Sequence, residues 1–323
     1  MTKFFFIILS LFFTFNAFAE GAKLSELQKE AKADNDGKLD LYILSDLNAP
    51  HAINPISLSN KSIVGDKSFR FEVNHGECGQ DSNHSDCKSE RERVEIKYRW
   101  MSDKSSKSKN EQWKKEKWYR FFVFIPKEHN ILAPSQTAII QWRRKNPSDR
   151  VLVMFRYHHG GLYFDMNGDT FVPDVFYHLK YDKDMREKWT EILFNTNWHP
   201  DKDKGFMKVW INGELKIDYK GVANYKKGKE LHLKFGIYSS GLNLYRKAFG
   251  ETKHKKRVIY FDGVKGETTC KKLLNDKKRC EELLITKPLV YKMYKPNNWD
   301  GAKSFDILDL RTSREHLNKE SQN

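Results

Sequence analysis

The sequence predicts an all-β sandwich with helical segments only near its two ends. Apolar and polar residues alternate with a period of two through most of the chain. Turn-forming residues separate these alternating stretches at roughly regular spacing. Strands that follow one another without intervening amphipathic helices favour two packed antiparallel sheets over βαβ units.

The 323-residue chain opens with an apolar segment that ends at a small-x-small triplet. Lys3 precedes a Phe/Ile/Leu run, and Ala-Phe-Ala at positions 17–19 closes it. This pattern is typical of a secretory signal peptide, so we expect cleavage after Ala19 and a periplasmic or secreted protein. A membrane anchor, the alternative, would need a longer uninterrupted apolar run.

Helical periodicity is confined to residues 22–33 and 270–284. The signal peptide, the two helical regions and the strands between them divide the chain into four segments. The predicted segments are a signal peptide at 1–19, an N-terminal helical linker at 20–40, a β domain at 41–268 and a C-terminal extension at 269–323.

Nine stretches of the predicted β domain alternate as half-buried strands do. They are residues 68–73, 93–100, 117–125, 137–143, 150–157, 188–196, 206–211, 231–238 and 257–264. Asn212-Gly213 and Gly160-Gly161 lie between strand-like pieces and predict hairpins, because these residues adopt the positive φ angles of tight turns.

All four cysteines lie beyond the predicted cleavage point. An even number in an oxidising compartment favours disulfide bonds between residues that close short loops. We predict two bonds, Cys78–Cys87 and Cys270–Cys280. A zinc site formed by the first pair with His75 and His84 is the alternative.

The chain is strongly basic, with 58 Lys+Arg against 43 Asp+Glu and a formal net charge of +15. Loss of residues 1–19 would remove Lys3 and no acidic residue, which leaves +14. Such a charge attracts polyanions, although solvated basic loops would account for part of the excess without any partner. For an exported chain the candidate polyanions are an acidic polysaccharide, an anionic membrane surface and stray nucleic acid. Of these we favour the polysaccharide, and we expect no nucleic acid partner, no membrane span and a monomer.

Several predicted strands present a row of cationic or hydrogen-bonding side chains on one face. The rows are Arg93, Glu95, Lys97 and Arg99; Gln141 and Arg143; Arg156 and His158; and His232, Lys234 and Tyr238. Any antiparallel sheet with one solvated face shows polar rows, but here the residues are chiefly Arg, Lys, Gln, His and Tyr. A curved sheet with such a face would hold an acidic sugar chain, because guanidinium groups match carboxylates in a bidentate geometry.

Six pieces of the chain carry a family resemblance. They are ERERVEI (90–96), KWYRFFVFIP (117–126), IIQWRRKNP (139–147), KWTEILFNTNWHPDKDKGFMKVWINGE (188–214), LKFGIYSS (233–240) and YFDGVKG (260–266). In order and spacing, residues 68–266 resemble the heparin lyase I-like polysaccharide lyases, which include the glucuronan lyases. The resemblance implies a concanavalin-like, lectin-like β-jelly roll whose concave sheet cleaves a 4-linked uronate-containing polysaccharide by β-elimination.

That reaction requires a group that neutralises the uronate carboxylate, a base for the C5 proton and an acid for the O4 oxygen. The resemblance implies that Tyr238 serves as base, acid or both, and that Arg93 and Gln141 bind the carboxylate. Neighbouring cations predict a lowered pKa for Tyr238. The remaining residues of these polar rows that we predict to bind substrate are Glu95, Lys97, Arg143, Arg156 and Lys234.

The sequence departs from the family pattern at one position. Many members carry a histidine after the Gln-Trp pair, and this chain carries Arg143, which cannot accept a proton. Either Tyr238 performs both proton transfers, or another histidine supplies one, or the protein binds without cleaving. His232 is the first substitute because it shares the face of Tyr238. His158 adjoins a predicted hairpin, where exposed turn residues are expected.

Other chemistry has no motif in this sequence. It contains no P-loop, no Gly-x-Ser-x-Gly and no HExxH. We expect no required cofactor, with structural calcium at Asp262 as an open alternative. The competing functions are a non-catalytic carbohydrate-binding jelly roll and a basic envelope-associated structural protein.

Overall fold

The computed structural model describes residues 21–35, 41–52, 54–79, 85–100, 116–144, 151–158, 160–166, 175–224, 231–285 and 293–294. The predicted signal peptide, residues 20 and 36–40 of the predicted linker, and the C-terminal tail apart from residues 293–294 therefore lie outside the described residues. Among the helices of the described ranges, none is long and apolar enough to cross a membrane.

The described strands form two antiparallel sheets, as the sequence predicts. The eight-stranded sheet contains, in spatial order, β1 (Leu41–Leu47), β4 (Arg91–Trp100), β13 (Leu231–Ser240), β6 (Gln136–Arg144), β7 (Val151–His158), β8 (Gly161–Met166), β9 (Val175–Tyr181) and β15 (Met293–Tyr294). The seven-stranded sheet contains β12 (Glu214–Lys220), β11 (Phe206–Ile211), β10 (Trp189–Asn197), β5 (Glu116–Phe124), β14 (Arg257–Glu267), β3 (Ser68–Val73) and β2 (Ile56–Ser59).

The core lies between the two sheets and consists largely of aromatic rings. Phe235 of β13 is fully buried and contacts Phe71 and Phe261 of the seven-stranded sheet, with ring centroids 5.5 and 5.0 Å apart. Trp142 of β6 packs in the same way against Phe194 of β10, at 4.7 Å. Edge-to-face and tilted contacts of this kind add to the stabilisation from apolar burial. Every second residue of these strands therefore points inward, which leaves the alternate residues of the eight-stranded sheet for its outer face.

The described helices are short and lie around the sandwich. They are α1 (Leu24–Asp34), α2 (Asp182–Met185), α3 (Leu242–Phe249), α4 (Cys270–Leu274) and α5 (Lys277–Ile285), with a 3₁₀ turn at Cys87–Ser89. α1 and the α4–α5 pair occupy the ends of the domain, as predicted. The expectation that helices are confined to the ends is wrong for α2 and α3, because both are too short to show a clear 3.6-residue period.

The C-terminal helices cover the outer face of the seven-stranded sheet. Trp118 and Trp210 stack on each other with ring centroids 5.3 Å apart, and Leu273 and Leu283 pack in the same cluster. The indole nitrogen of Trp210 donates a hydrogen bond to the carbonyl oxygen of Leu283 at 3.1 Å. The outer face of this sheet is therefore covered in part, around Trp118, Leu193 and Trp210, whereas the eight-stranded sheet carries polar residues on its outer face.

Glycine at 236 permits a bulge in β13. Pairing with β6 shifts register between Phe235 and Tyr238, where two residues of β13 face one of β6. Gly236 has φ 134°, and a Cβ atom there would lie 2.4 Å from the carbonyl oxygen of Val94. Only glycine tolerates this approach, so the bulge that orients Tyr238 depends on it.

Candidate active site

Strand order brings the predicted polar rows together. β13 lies between β4 and β6, and its register pairs Tyr238 with Arg93 and Lys234 with both Lys97 and Gln141. These five side chains come from segments far apart in the sequence, yet they occupy one face of three adjacent strands. We call this patch, together with Glu95, Arg143 and His232 on the same three strands, the polar face.

Arg93 is held from three sides. Its guanidinium group lies 3.1 Å from the Oδ1 atom of Asp86 and 3.6 Å from the Oε2 atom of Glu95. It also lies 4.6 Å from the centre of the Tyr238 ring, within cation–π range. Asp86, Glu95 and the Tyr238 ring together restrict the rotamers of Arg93. The cation is therefore oriented before a substrate binds.

Glu95 links Arg93 to Gln141. The Nε2 atom of Gln141 donates to the Oε1 atom of Glu95 at 2.5 Å, and both residues are buried. Glu95 therefore sets the orientation of the Gln141 amide. A buried carboxylate engaged with two partners positions them, which is a different role from the substrate contact that the sequence predicts for Glu95.

The pKa of Tyr238 differs from the sequence-based expectation. Burial raises it above its usual value, and the nearby charges of Arg93 and Arg91 lower it by less. The expectation of a lowered pKa is therefore wrong, because the sequence shows neighbouring charges but not the extent of burial. Tyr238 is a neutral phenol near neutral pH, in the state that donates a proton.

Lys234 is buried, and its pKa is shifted in the opposite direction from that of Tyr238. Burial lowers the pKa of Lys234 to about 8, and the cations Arg93, Arg143 and Lys97 act in the same direction, opposed by Glu95. Lys234 and Tyr238 thus both interact electrostatically with the Arg93–Glu95 pair. A neutral amine, which can accept a proton, is accessible close to neutral pH.

His232 lies further along β13, where its register partners are Arg99 and Arg143. It is 6% exposed. Six residues of extended strand separate it from Tyr238, a spacing of roughly 20 Å. His232 and Arg143 therefore belong to the polar face but lie at the other end of β13 from the Arg93–Tyr238 pair.

Arg156 forms a second, separate unit on β7 and β8. Its guanidinium group pairs with the buried carboxylate of Asp165 and donates to the side-chain oxygen of Gln136. The partner carboxylate neutralises the charge locally. The structure therefore places Arg156 on the same sheet as the predicted site but engages it with Asp165, which the sequence does not indicate.

An aromatic cluster that sequence reasoning missed lies next to Arg156. His158 contacts Tyr163 at 4.9 Å between ring centroids, and His178 contacts Tyr163 at 5.1 Å and Tyr181 at 4.3 Å. The expectation that His158 is an exposed turn residue is wrong, since it ends β7 and is 2% exposed. Burial lowers the pKa of His178 to about 4. His178 and Tyr181 lie on β9, and the alternation of β9 is too short to predict this strand from the sequence.

Asp262 lies on the other sheet, in β14. Its Oδ2 atom accepts backbone hydrogen bonds from Ile63 and Val64 at 2.5 and 2.9 Å, and its Oδ1 atom accepts one from Gly263 at 2.7 Å. Burial, followed by the charge of Asp262, raises the pKa of the neighbouring Asp34 to about 8. Asp262 anchors the turn at residues 63–64, and calcium binding there stays an untested prediction.

Both predicted disulfide bonds are present, Cys78–Cys87 and Cys270–Cys280. The alternative zinc site that used the first pair is therefore wrong. The loop that Cys78–Cys87 closes contains Asp86, the carboxylate that holds Arg93. No sequence pattern marks Asp86 as part of the site, because its contact with Arg93 depends on how the loop folds back on β4.

The two-sheet antiparallel sandwich with a polar, cationic outer face is a β-jelly roll. Residues 38–265 match the family model described as polysaccharide lyase. The match spans most of the chain, so the chain belongs to this family and the protein is a polysaccharide lyase. No curated protein sequence matches at a significant level.

Solved structures share this fold at low sequence identity. The endo-β-1,4-glucuronan lyase of Trichoderma reesei aligns over 72% of this chain and 92% of its own, with 14% identity and a TM-score of 0.51. Alginate lyase A1-II′, a member of polysaccharide lyase family 7, aligns over 68% and 85%, with 12% identity and a TM-score of 0.47. An alginate lyase of Pseudomonas aeruginosa aligns over 62% and 83%, with 13% identity and a TM-score of 0.43. The similarity to the glucuronan lyase shows a shared fold.

Proposed function

We propose that this polysaccharide lyase cleaves a 4-linked, uronate-containing polysaccharide by β-elimination. The observation that carries the proposal is the arrangement around Glu95, which holds Arg93 and Gln141 beside Lys234 and Tyr238. The resemblance to glucuronan lyases and the net charge of +15 support an acidic substrate.

Arg93 and Gln141 bind and polarise the uronate carboxylate. A planar guanidinium group can donate two parallel hydrogen bonds to a carboxylate, and the amide of Gln141 adds a neutral donor. Charge that develops on the carboxylate when the C5 proton leaves is then stabilised by groups that are already oriented. Glu95 and Asp86 keep Arg93 in this orientation without contacting the sugar.

Lys234 accepts the C5 proton and Tyr238 donates a proton to O4. The electron pair of the C5–H bond forms the C4–C5 double bond, the C4–O4 bond breaks, and O4 takes the phenolic proton. The pKa of Lys234 near 8 makes the neutral amine available, and the raised pKa of Tyr238 keeps the phenol protonated. Water then restores both groups.

With this division of roles, the proposed elimination does not require the family histidine that Arg143 replaces. Arg143 stays charged and extends the cationic surface towards neighbouring sugar units. His232, the first substitute by sequence, is the second candidate for the base. A non-catalytic carbohydrate-binding protein is the alternative function, and Arg143 in the histidine position is the observation that favours it.

A direct assay tests the proposal. Purified protein is incubated with glucuronan, alginate, heparin and chondroitin, and the ultraviolet absorbance of the conjugated 4,5-unsaturated uronate is followed. We expect absorbance to rise with at least one of these polymers. Binding to a polyanion with no absorbance change on any uronan would support the non-catalytic alternative and refute β-elimination.

We also propose that the protein is exported and cleaved after Ala19. The apolar run and the small residues before position 20 support this, as does the pairing of all four cysteines. Mass spectrometry of the exported protein should give an N-terminus at Glu20.

A further inference from the structure

Two histidines and a glutamate converge at a point outside the polar face. His75 follows β3, Glu92 lies on β4, and His254 precedes β14. His75 and His254 are 179 residues apart, and Glu92 and His254 are 162 apart. The fold alone brings these three side chains together, and the proposed elimination uses none of them.

The three candidate ligand atoms form a compact triangle. The Nδ1 atoms of His75 and His254 lie 3.0 Å apart, and the Oε1 atom of Glu92 lies 3.1 Å from the second and 3.7 Å from the first. In a tetrahedral site with bonds of about 2.0–2.1 Å, neighbouring ligand atoms lie about 3.3–3.4 Å apart. The triangle therefore has the dimensions of one face of such a site.

The surroundings hold Glu92 in place and leave one side accessible. Its Oε2 atom pairs with the buried Arg257, and the backbone N–H of Gly76 donates to its Oε1 atom at 2.7 Å. These contacts direct Oε1 towards the histidines. The side chain of His75 is 36% exposed, whereas those of Glu92 and His254 are nearly fully buried. An ion can reach the triangle from the side of His75, with water as its fourth ligand.

Arg246 limits the affinity of this cluster for a cation. Its NH1 group lies 3.2 Å from the Nε2 atom of His254, while its NH2 group bonds the carboxylate of Glu90 at 2.6 Å. When the Nδ1 atom of His254 binds an ion, its Nε2 atom carries the proton, so Arg246 must give up the first contact. The partly exposed pair with Glu90 gives Arg246 an alternative partner.

We propose that His75, Glu92 and His254 bind one transition-metal ion of the zinc class. Two imidazole nitrogens and one carboxylate oxygen favour Zn²⁺, Ni²⁺ or Cu²⁺ over Ca²⁺ and Mg²⁺, which prefer oxygen ligands. The ion ties the end of β3 to the segment before β14. The disulfide loop that contains Asp86 begins three residues after His75, so metal binding also stiffens the support of Arg93.

Calorimetric titration of the full chain without an affinity tag tests this site. We expect one Zn²⁺ per chain with micromolar affinity, a higher melting temperature in its presence, and no binding of Mg²⁺ or Ca²⁺. Cobalt substitution should give the visible absorption of a tetrahedral ion. In His75→Asn, which alters the most exposed ligand, zinc affinity should fall at least tenfold while the near-ultraviolet circular dichroism of the metal-free protein stays unchanged.

His199→Asn is the matched control, because His199 lies in the loop after β10 and outside the cluster. It should bind zinc as the parent does. A parent that takes up no zinc, or a His75→Asn variant that binds it equally well, would overturn the proposal whether or not the protein shows lyase activity.

Discussion

At the residue scale, Tyr238 is the group whose oxygen is proposed to protonate O4. Tyr238→Phe removes that oxygen and keeps the ring that lies 4.6 Å from the Arg93 guanidinium. We expect the elimination rate to fall by roughly 10²- to 10⁴-fold, the usual contribution of general acid catalysis. Affinity for intact polymer, measured by titration, should change only a few-fold.

Tyr219→Phe is the control for this substitution. Tyr219 lies on β12 of the other sheet, where its hydroxyl donates to the carbonyl oxygen of Val222 at 3.1 Å. Its loss should leave the elimination rate unchanged. A Tyr238→Phe enzyme that cleaves as fast as the parent would remove Tyr238 from the reaction.

The pKa of Lys234 predicts how the elimination rate depends on pH. A base must be neutral to act, and the pKa of Lys234 is about 8. The elimination rate at low substrate concentration should therefore rise with pH up to about 8 and level off above it. Lys234→Arg keeps a charge that cannot be lost and should reduce the rate by roughly 10²- to 10⁴-fold across the whole pH range.

Lys97→Arg is the matched control, since Lys97 is the register neighbour of Lys234 on β4. It should retain the parent pH profile. A parent rate that does not rise towards pH 8, or full activity in Lys234→Arg, would remove Lys234 from the reaction. His232 would then be the next base to test.

At the scale of elements, the bulge in β13 is the feature on which the orientation of Tyr238 depends. An alanine at position 236 would bring its Cβ atom within 2.4 Å of the carbonyl oxygen of Val94 and 2.8 Å of the Cα atom of Glu95. We expect Gly236→Ala to lower the free energy of unfolding by at least about 2 kcal/mol, because backbone atoms must move. Chemical denaturation measures this change.

Gly65→Ala separates the clash from the cost of positive φ. Gly65 has φ 64°, and a Cβ atom there meets nothing within 4 Å. Its substitution should cost only about 1 kcal/mol, from the backbone conformation alone. Equal losses in the two variants would show that the close approach of β13 to β4 does not govern stability.

The α4–α5 pair gives a second prediction at this scale. Cys270–Cys280 closes a loop of ten residues over Trp118 and Trp210. Replacing both cysteines by serine should lower the free energy of unfolding by roughly 2–3 kcal/mol, because the unfolded chain gains freedom. Activity measured well below the melting temperature should stay unchanged, since the pair covers the sheet that carries no proposed catalytic residue. A large loss of activity at that temperature would show that the two sheets are coupled.

At the scale of the whole molecule, the net charge of +15 should govern encounter with substrate. Exposed charges are screened over about 10 Å at 0.1 M ionic strength, so affinity for an acidic polymer should weaken steeply with added salt. Titration of a uronan at several ionic strengths measures this, and a neutral glucan serves as the control. Salt-independent binding would indicate that apolar stacking, not charge, holds the polymer.

The strands that the sequence predicts are those whose apolar and polar residues alternate clearly. β3, β4, β11 and β13 each show period-two patterns long enough to read from the sequence, and the Asn212-Gly213 hairpin forms where predicted, with both residues at positive φ. The sequence does not predict the strands β1, β2 and β9 or the helices α2 and α3. β2 and α2 have four residues each, too few to establish a period, and β1 and β9 open with consecutive apolar residues (LYIL and VFY) that hide the alternation.

For the candidate site, the sequence by itself determined which side chains share a face of β4 and of β13, and which cysteines are close enough to pair. Side-chain alternation and short loop closure are local properties of the chain. The order of strands was decided only by the tertiary structure, and this order places Arg93 against Tyr238 and Gln141 against Lys234.

Burial likewise belongs to the tertiary structure. Burial raises the pKa of Tyr238, although neighbouring cations lower it by less, and burial lowers the pKa of Lys234 to about 8. The hydrogen bond between Glu95 and Gln141 also lies in the interior. Desolvation depends on every element packed around a group. In the same way, the contacts of His254 with His75 and Glu92 join residues more than 160 positions apart. No pattern within a single strand contains that information.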